Sequence, residues 1–436
     1  MRTAIIPSGG GRSPVRNGGE VHTQIDVDPS WSFFNKTKKE TAYITHGYHR
    51  YPAKFIPQVA GRLIDELTRD GDLILDPFCG CGTTLVESKV RGRHSLGVDI
   101  NPVAALITKV KSTPIQPQRL DEQFILFQKR LSTYSEDLLV DTPDHERIDY
   151  WFRPDDKRKL AFILGEISKI AKQDVRDFFL CGFSNILKNC SIWLQKSNKP
   201  TRDLSKIPSD PLVVFPRQIR TMINGNRRFF ELLSASGHLG VPSRVTCNDA
   251  RAMPLNDNSV DLILTSPPYV TSYEYADLHQ LTALWLEYTK DINDFRMRFI
   301  GTSYPQPKIL TLTDGPIATS IRDALLAKDT KMSDKVSIYF NEMNQVFYEM
   351  KRVLRTGGKI CIVVGNTKLR GVEILNAEVY VEQFQSLGMR LINVIKREIP
   401  SKNLPSVRDR VSGRFASMID ENRVLAYPTE YILIFG

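Results

Sequence analysis

The sequence predicts a doubly wound α/β fold, a sheet of alternating strands and helices, interrupted by two insertions. Three observations predict it. Short apolar runs alternate with helix-like stretches from Leu73 onward. The rhythm breaks at residue 112 and resumes at Arg244. A pair of strand-like segments, Arg390 to Arg397 and Tyr431 to Phe435, closes the pattern.

Residues 1–25 are rich in Gly, Ser, Pro and Arg and read as a flexible arm. Leu73–Leu75 is a short strand ending in Asp76-Pro77, and a Gly-containing loop leads into a helix from Thr83. His94–Asp99 is the second strand, and Asn101-Pro102 opens a helix to Lys111, because Asn caps and Pro fits the first helical position. Residues 112–243 contain helix-like stretches (Phe124–Tyr134, Lys157–Lys172), then a loop-rich section punctuated by Pro. Strands follow at Arg244–Asp249 and Val260–Leu264, and the second insertion, 270–334, reads as irregular. Residues 335–355 read as a helix ending at Gly357-Gly358, Lys359–Val364 as a strand, and Ala377–Leu387 as a helix stopped by Gly388.

Composition excludes several classes. The 436 residues carry 59 Lys+Arg against 49 Asp+Glu, a net charge of +10, which permits a polyanionic partner without requiring one. With 41% hydrophobic and 25% charged residues, wholesale disorder is excluded. No apolar run approaches the roughly 20 residues of a membrane helix, and the first 20 residues lack a signal-peptide core. Six irregularly spaced cysteines fit a reduced, intracellular protein. At roughly 150 residues per domain, the length allows two or three units or one large domain with insertions.

Two loops carry chemistry. Asp76-Pro77-Phe78-Cys79-Gly80-Cys81-Gly82-Thr83-Thr84 joins a strand to a helix, and its glycines let backbone or ligand approach closely. The next strand ends in Asp99, where a carboxylate can take both hydroxyls of a ribose. Together these point to an adenosine-containing cofactor; the GxG alone is equally a tight turn. The third Gly of the dinucleotide fingerprint is absent, Leu85 standing there, and no Walker lysine follows Gly82. Asn248-Asp249 ends a further strand and can meet an adenine amine, or can be a surface turn. Cys79 and Cys81 lack the partners that a zinc site needs and read as small buried residues, so no metal is expected.

The second loop, Thr265-Ser266-Pro267-Pro268-Tyr269, follows a strand where ligands bind in open α/β sheets. Two prolines stiffen it, the Ser266 hydroxyl and Pro267 carbonyl form an acceptor pair for an NH2 group, and Tyr269 offers a face for a planar base.

In these residues the chain resembles the amino-methylating DNA methyltransferases that use S-adenosyl-L-methionine, specifically the cytosine-N4 type. DPFCGCGTT (76–84) is similar to their cofactor motif, with Cys81 where Ser is common. GVDIN (97–101) is similar to their ribose-binding strand end, TSPPY (265–269) to their catalytic tetrapeptide with its preceding Thr, and HRYPAKFIP (49–57) to the segment over the methionine end. The resemblance covers 45–111 and 244–436. It implies a Rossmann-like, doubly wound, mixed seven-stranded methyltransferase sheet with a mainly helical insertion. Residues 26–111 become the first part of the catalytic domain, 112–243 an inserted DNA target-recognition region, and 244–436 the second part, itself carrying the 270–334 insertion. The cofactor motifs precede TSPPY, opposite to many cytosine-N4 members, so the recognition boundary does not carry over from them.

The resemblance also assigns the site. Ser266, Pro267, Pro268 and Tyr269 are the catalytic residues, acting on the exocyclic N4 amine of a cytosine flipped from double-stranded DNA. Asp76 lies near the methionine amino group, with Pro77, Phe78, Gly80, Gly82, Thr83, Thr84 and Thr265 around the cofactor. Asp99, Ile100 and Asn101 take the ribose, and Asp249 and Ala250 the adenine. Tyr51, Pro52, Lys54 and Phe55 wall the methionine end, although packing beneath the sheet explains His49 and Tyr51 equally well. The implied setting is cytoplasmic and of prokaryotic type, with a restriction endonuclease of the same site as a second partner and no membrane. Adenine-N6 methylation, an RNA amine and an inactive DNA-binding protein are the alternatives.

For DNA contact the sequence points to 181–230, with nine basic residues (Lys188, Lys196, Lys199, Arg202, Lys206, Arg217, Arg220, Arg227, Arg228) against Asp203 and Asp210, and with Trp193, Phe215, Phe229 and Phe230 interleaved. A second basic stretch, Arg390 to Arg414, includes Lys396, Arg397, Lys402, Arg408, Arg410 and Arg414.

Overall fold

The structure is a computed structural model that describes residues 25–52, 55–270, 274–304, 315–399 and 429–436, and the backbone of 407–409 and 423–425. The expected arm, apart from Ile25, and Lys54, Lys402, Arg410 and Arg414 therefore lie outside the described residues.

Eleven strands are described: β1 (Leu73–Asp76), β2 (His94–Asp99), β3 (Ser243–Cys247), β4 (Val260–Thr265), β5 (Leu354–Val364), β6 (Thr367–Leu369), β7 (Val372–Ile374), β8 (Leu391–Glu398), β9 (Val407–Asp409), β10 (Arg423–Leu425) and β11 (Thr429–Phe435). Seven form one sheet in the order β3-β2-β1-β4-β5-β11-β8. The first five are parallel, and β11 runs antiparallel between β5 and β8. This is a mixed, doubly wound, seven-stranded sheet, as the sequence predicts. The remaining strands pair as β6-β7 and β9-β10.

The helices are α1 (Lys38–Thr41), α2 (Pro57–Leu67), α3 (Thr83–Val90), α4 (Pro102–Ser112), α5 (Pro117–Leu131), α6 (Glu146–Trp151), α7 (Pro154–Ser168), α8 (Gln173–Ile186), α9 (Pro211–Ser236), α10 (Tyr275–Trp285), α11 (Ile292–Met297), α12 (Pro316–Leu326), α13 (Thr330–Val353) and α14 (Asn376–Ser386). Their starts follow local chemistry. Asn101 and Asp210 each accept an N–H of their own first turn, and each is followed by Pro at the first helical position.

Strand alternation sets the layers. Ile74, Leu262, Leu264, Cys361, Val363, Ile432 and Ile434 face α2 and Trp31. Leu75, Ile263, Ile360, Ile362, Leu433 and Phe435 face α12, α13 and α14. A third core continues from Val103, Ile107 and Val110 of α4 into Phe127, Phe179, Phe183, Phe215 and Ile219 of the inserted helices, and on to Leu284 of α10. The insertion thus packs directly on the cofactor-side helices. No helix among the described residues is long and apolar enough to cross a membrane.

Four expectations are corrected. The segment 270–334 is not irregular where described: it holds α10, α11, α12 and the start of α13. Residues 276, 277 and 279–285 of α10 are all buried, so it has no polar face to print a helical period on the sequence. The Pro-punctuated part of the first insertion contains the long helix α9, whose Pro216 sits in the second turn. Gly357-Gly358 does not end a helix. Helix α13 stops at Val353 and both glycines lie inside β5, where the β4–β5 register shifts and a Cβ on Gly358 would sit 2.9 Å from the Asp261 carbonyl. Trp193, Phe215 and Phe229 are core residues at 0–2% exposure, so they have no face to offer a base.

Gly82 caps α3 at φ +79°, and a Cβ there would meet the Thr108 backbone at 3.0 Å. Gly82→Ala combines left-handed strain with overpacking, and a loss of about 1–3 kcal/mol is expected. Thermal unfolding checks it: an unchanged Tm would show that the loop can relax.

Candidate active site

The site grows from the carboxyl end of β1. Asp76 is buried, and its two oxygens accept hydroxyl hydrogen bonds from Thr84 of α3 and Thr265 of β4, each at 2.7 Å, plus the Phe78 N–H at 3.1 Å. One carboxylate therefore ties the glycine loop to the strand that launches Ser266-Pro267-Pro268. Burial pushes its pKa up to about 6, against the pull of those hydrogen bonds.

The glycine loop is held from below. Gly80, at φ +49°, donates its N–H to Asp99 at 2.8 Å, and its carbonyl accepts from Thr108 at 2.8 Å. Lys111 reaches the Cys81 carbonyl at 2.8 Å, and Gly82 N–H bonds the Cys79 carbonyl at 2.7 Å. A Cβ on Gly80 would stand 3.3 Å from the Tyr51 hydroxyl, so glycine is what lets the 49–57 segment close on the loop. Asp99 also accepts the Asn101 N–H at 2.9 Å, and desolvation pushes it up to about 6. Asn101 donates from its amide to the ring Nδ1 of His279 at 2.7 Å. Burial lowers that imidazole to about 4, which keeps it a neutral acceptor.

Beside these groups opens a cleft of about 840 Å³, counting its open mouth. Of the sequence-derived residues, Tyr51, Phe55, Asp76, Pro77, Phe78, Gly80, Thr83, Asp99, Ile100, Asn101, Asp249, Ala250, Ser266 and Pro268 lie on its wall. Two desolvated carboxylates share that wall, and Arg298 is the only cationic side chain on it among the described residues, which fits a ligand carrying positive charge. A polar end near Asp99 and an apolar wall of Phe55, Phe78 and Phe299 suit an adenosine with an aliphatic sulfonium tail.

Other residues stand behind the wall. Thr84 and Thr265 are fully buried and position Asp76, and Gly82 shapes the turn. Pro52 and Pro267 do not line the cleft. Tyr269 does not line it either. It is partly buried, and its hydroxyl accepts the Gly365 N–H at 3.2 Å, while the Pro268 carbonyl accepts from Tyr339 at 2.9 Å. The 265–269 loop is thereby pinned to the end of β5 and to α13. Asp249 is on the wall, but both its oxygens are held by Arg251, whose guanidinium also reaches Glu342.

Sequence reasoning missed Tyr275, Arg298, Phe299 and Ile300, which line the cleft from the second insertion. Their only sequence signal is the Phe-Ile pair before Gly301, which takes φ +76°. Cys79 and Cys81 also line the cleft, and among the described residues no group of three or more His, Cys, Asp or Glu is placed to hold a metal ion.

The chain is similar in sequence to known DNA-modifying methyltransferases. A family model described as DNA methylase matches residues 13–110 and 260–436. Type II methyltransferase M.MvaI of Kocuria varians is 26% identical over 405 residues, covering 86% of this chain and 87% of that one. Type II methyltransferase M.BsoBI of Geobacillus stearothermophilus is 24% identical over 392 residues, covering 75% of each. Type II methyltransferase M.MjaII of Methanocaldococcus jannaschii is 36% identical over 112 residues, covering 26% of this chain and 21% of that one.

The raised carboxylates give opposite pH signatures. A cationic ligand needs Asp76 and Asp99 ionised, so S-adenosylmethionine affinity is expected to fall by about tenfold per pH unit per carboxylate below pH 6. The ligand-free fold behaves the other way. Its carboxylates bind protons more tightly than those of the unfolded chain, so their contribution to stability grows as pH drops from 7 toward 5 and is lost as pH rises through about 6. Calorimetric titration and thermal melts at pH 5, 6 and 7 test both. Affinity that does not change across this range would refute the charge assignment.

Proposed function

The chain belongs to the DNA methylase family of N4/N6 amino-group methyltransferases, and from that premise we propose that it methylates the N4 amine of cytosine within a specific duplex sequence. It is a DNA methyltransferase, and its cofactor is S-adenosyl-L-methionine. The observation that carries the finer reading is the placement of Ser266 and Pro268 on the same cleft as Asp76 and Asp99. A hydroxyl, rather than a carboxylate or amide, thus stands at the head of the catalytic tetrapeptide. The Type II names of the relatives support a restriction-modification setting, with an endonuclease of the same site as the partner.

When bound, the cofactor supplies an electrophilic methyl group on a sulfonium. The chain's own residues then have three tasks. Asp76 and Asp99 would hold the charged and ribose ends of the cofactor in the cleft that Ser266 and Pro268 also line. Ser266 Oγ and the Pro267 carbonyl accept the amine hydrogens, turning the nitrogen lone pair out of conjugation with the ring and toward the methyl. Because the amine becomes cationic as it attacks, these acceptors favour the transition state over the ground state. The surplus proton then leaves to water, and no covalent enzyme intermediate is needed. Tyr269, partly buried with its hydroxyl tied to Gly365, is the aromatic residue against which the flipped base would lie. The helices of 112–243 and 270–334 supply the surface that reads the target.

Asp76→Asn keeps the shape but loses the charge, and cofactor affinity is expected to fall about 10–100-fold. Ser266→Ala should leave cofactor affinity unchanged and lower single-turnover methylation about 10²–10³-fold, as for other oriented hydrogen-bonding groups. Modified-base sequencing of DNA from cells expressing the protein identifies the product. N4-methylcytosine in a fixed motif, lost in Ser266→Ala, is the expected result, and N6-methyladenine would overturn the cytosine assignment.

A further inference from the structure

The cations of the helical insertion fall into two sets according to what they touch. Many are committed within the fold. Arg227 pairs with Asp121 at 2.8 Å, Lys159 with Asp210 at 2.9 Å, Lys157 with Asp149 at 2.5 Å and Arg119 with Asp174 at 3.0 Å. Lys206 gives its ammonium to the carbonyls of Lys188 and Trp193, each at 2.8 Å, and to Gln195 at 3.1 Å. Lys196, Lys199 and Arg202 differ. They are exposed on the segment between α8 and α9, and none has a carboxylate within ion-pair distance among the described residues; Arg217, Arg220 and Arg228 of α9 are likewise exposed without an ion pair, so place in the fold separates the two groups. Exposed Arg50, beside the cleft residue Tyr51, is in the same state.

That segment is ordered by its own bonds. Trp193 and Arg202 form an antiparallel bridge, Leu194 N–H donates to the Thr201 carbonyl at 2.8 Å, and the Ser197 hydroxyl accepts the Lys199 N–H at 3.1 Å. Trp193 stacks on Trp151 at 5.0 Å, and the Arg202 guanidinium lies over the Tyr150 ring at 4.2 Å. Asp203, the sole acid from 188 to 207, is turned to the Ser205 hydroxyl at 2.6 Å.

Two links join the segment to the active site. Arg50 N–H donates to Asn185 at the end of α8 at 2.9 Å, and Lys188, whose ammonium bonds the Ser197 carbonyl at 2.6 Å, is held down to about 8 by burial and by the nearby charges of Arg50 and Lys206. Arg147 of α6 donates to Gln280 of α10 at 2.8 Å, and that helix begins at Tyr275 on the cleft wall. Helix α9 leads away instead. Beyond its end, the His238 ring bonds the Val90 carbonyl at 2.9 Å, at the end of α3 opposite the cofactor loop. Arg228 therefore lies toward the edge of the molecule remote from the cleft.

We propose that the phosphates of the DNA duplex dock on the 188–202 segment together with Arg50, and that Arg228, toward the far end of α9, takes no part. The proposal rests on the DNA methyltransferase reading and names the face that reading uses. Cations that repel one another in the free protein are relieved by phosphate, and an arginine already stacked on an aromatic ring loses little freedom on binding.

The test uses the full-length chain and a 30-base-pair duplex of mixed sequence. DNA affinity is measured across a salt series, with S-adenosylmethionine binding recorded in parallel. The triple variant Lys196→Ala, Lys199→Ala, Arg202→Ala should bind duplex at least about tenfold more weakly at low salt. Its log–log salt slope should be shallower by about 2–3, near 0.9 for each phosphate that is no longer neutralised. Cofactor affinity and Tm should hold, since all three side chains are exposed. The control variant Arg228→Ala should stay within about twofold of wild type. Equal losses in the two variants, or wild-type behaviour in the triple variant, overturns the surface while leaving the DNA reading standing. A wild-type chain with no affinity for duplex overturns both.

Discussion

The Asp76 carboxylate is the interaction on which the rest of the site depends. It sits at the end of the strand flanked by both β2 and β4, and it takes one hydroxyl from the helix after the glycine loop and one from the strand before the Ser266-Pro267-Pro268 loop. Those two loops are 189 residues apart at their bonded ends, Asp76 and Thr265, yet share one buried anion. Removing that anion from water is costly, and its raised pKa records the cost. A cationic ligand would supply what the fold withholds, so the group that organises the site is also the one proposed to anchor the cofactor.

Around this centre, the second insertion performs work that a recognition domain alone would not require. Helix α10 begins at the cleft with Tyr275, bonds Asn101 through His279, and bonds Trp151 and Arg147 of the first insertion through Gln280. Its Thr282 hydroxyl bonds Ser184 of α8 at 2.7 Å, and Ser184 in turn bonds His49 at 2.8 Å. The cofactor wall, the 49–57 segment and the inserted helices are thus joined by buried hydrogen bonds. Such networks tolerate little independent movement, because a broken bond leaves an unsatisfied buried group.

The parts of the site legible in the sequence were those made by residues close together in the chain. Asp76 through Thr84 form a turn whose glycines are demanded by backbone geometry, and Gly80 and Gly82 do adopt positive φ. Asp99 stands one strand over, at a spacing set by one helix and one strand. Less legible was anything whose meaning depends on what packs against it. Trp193 and Phe215 look like base-stacking residues when read beside lysines, but they fill the helical core. Arg397, within the second basic stretch, is 2% exposed, donates to the Trp31 carbonyl at 2.7 Å and pairs with Glu430. Asp249 occupies the expected strand end, yet its oxygens are claimed by Arg251.

By itself, the sequence determined the sheet, the two loops and the carboxylates at the strand ends, because period-two alternation, glycine geometry and strand-to-helix turns are local properties. It also established that the surface is basic. Only the tertiary structure decided that Thr84 and Thr265 hold Asp76 rather than a ligand, that Arg298–Ile300 complete the cleft, and which cations remain without carboxylate partners among the described residues. The reason is physical. Burial and pairing are properties of neighbours distant in the chain, and a lysine in a basic run has the same letter whether it tethers two carbonyls, as Lys206 does, or faces solvent, as Lys199 does.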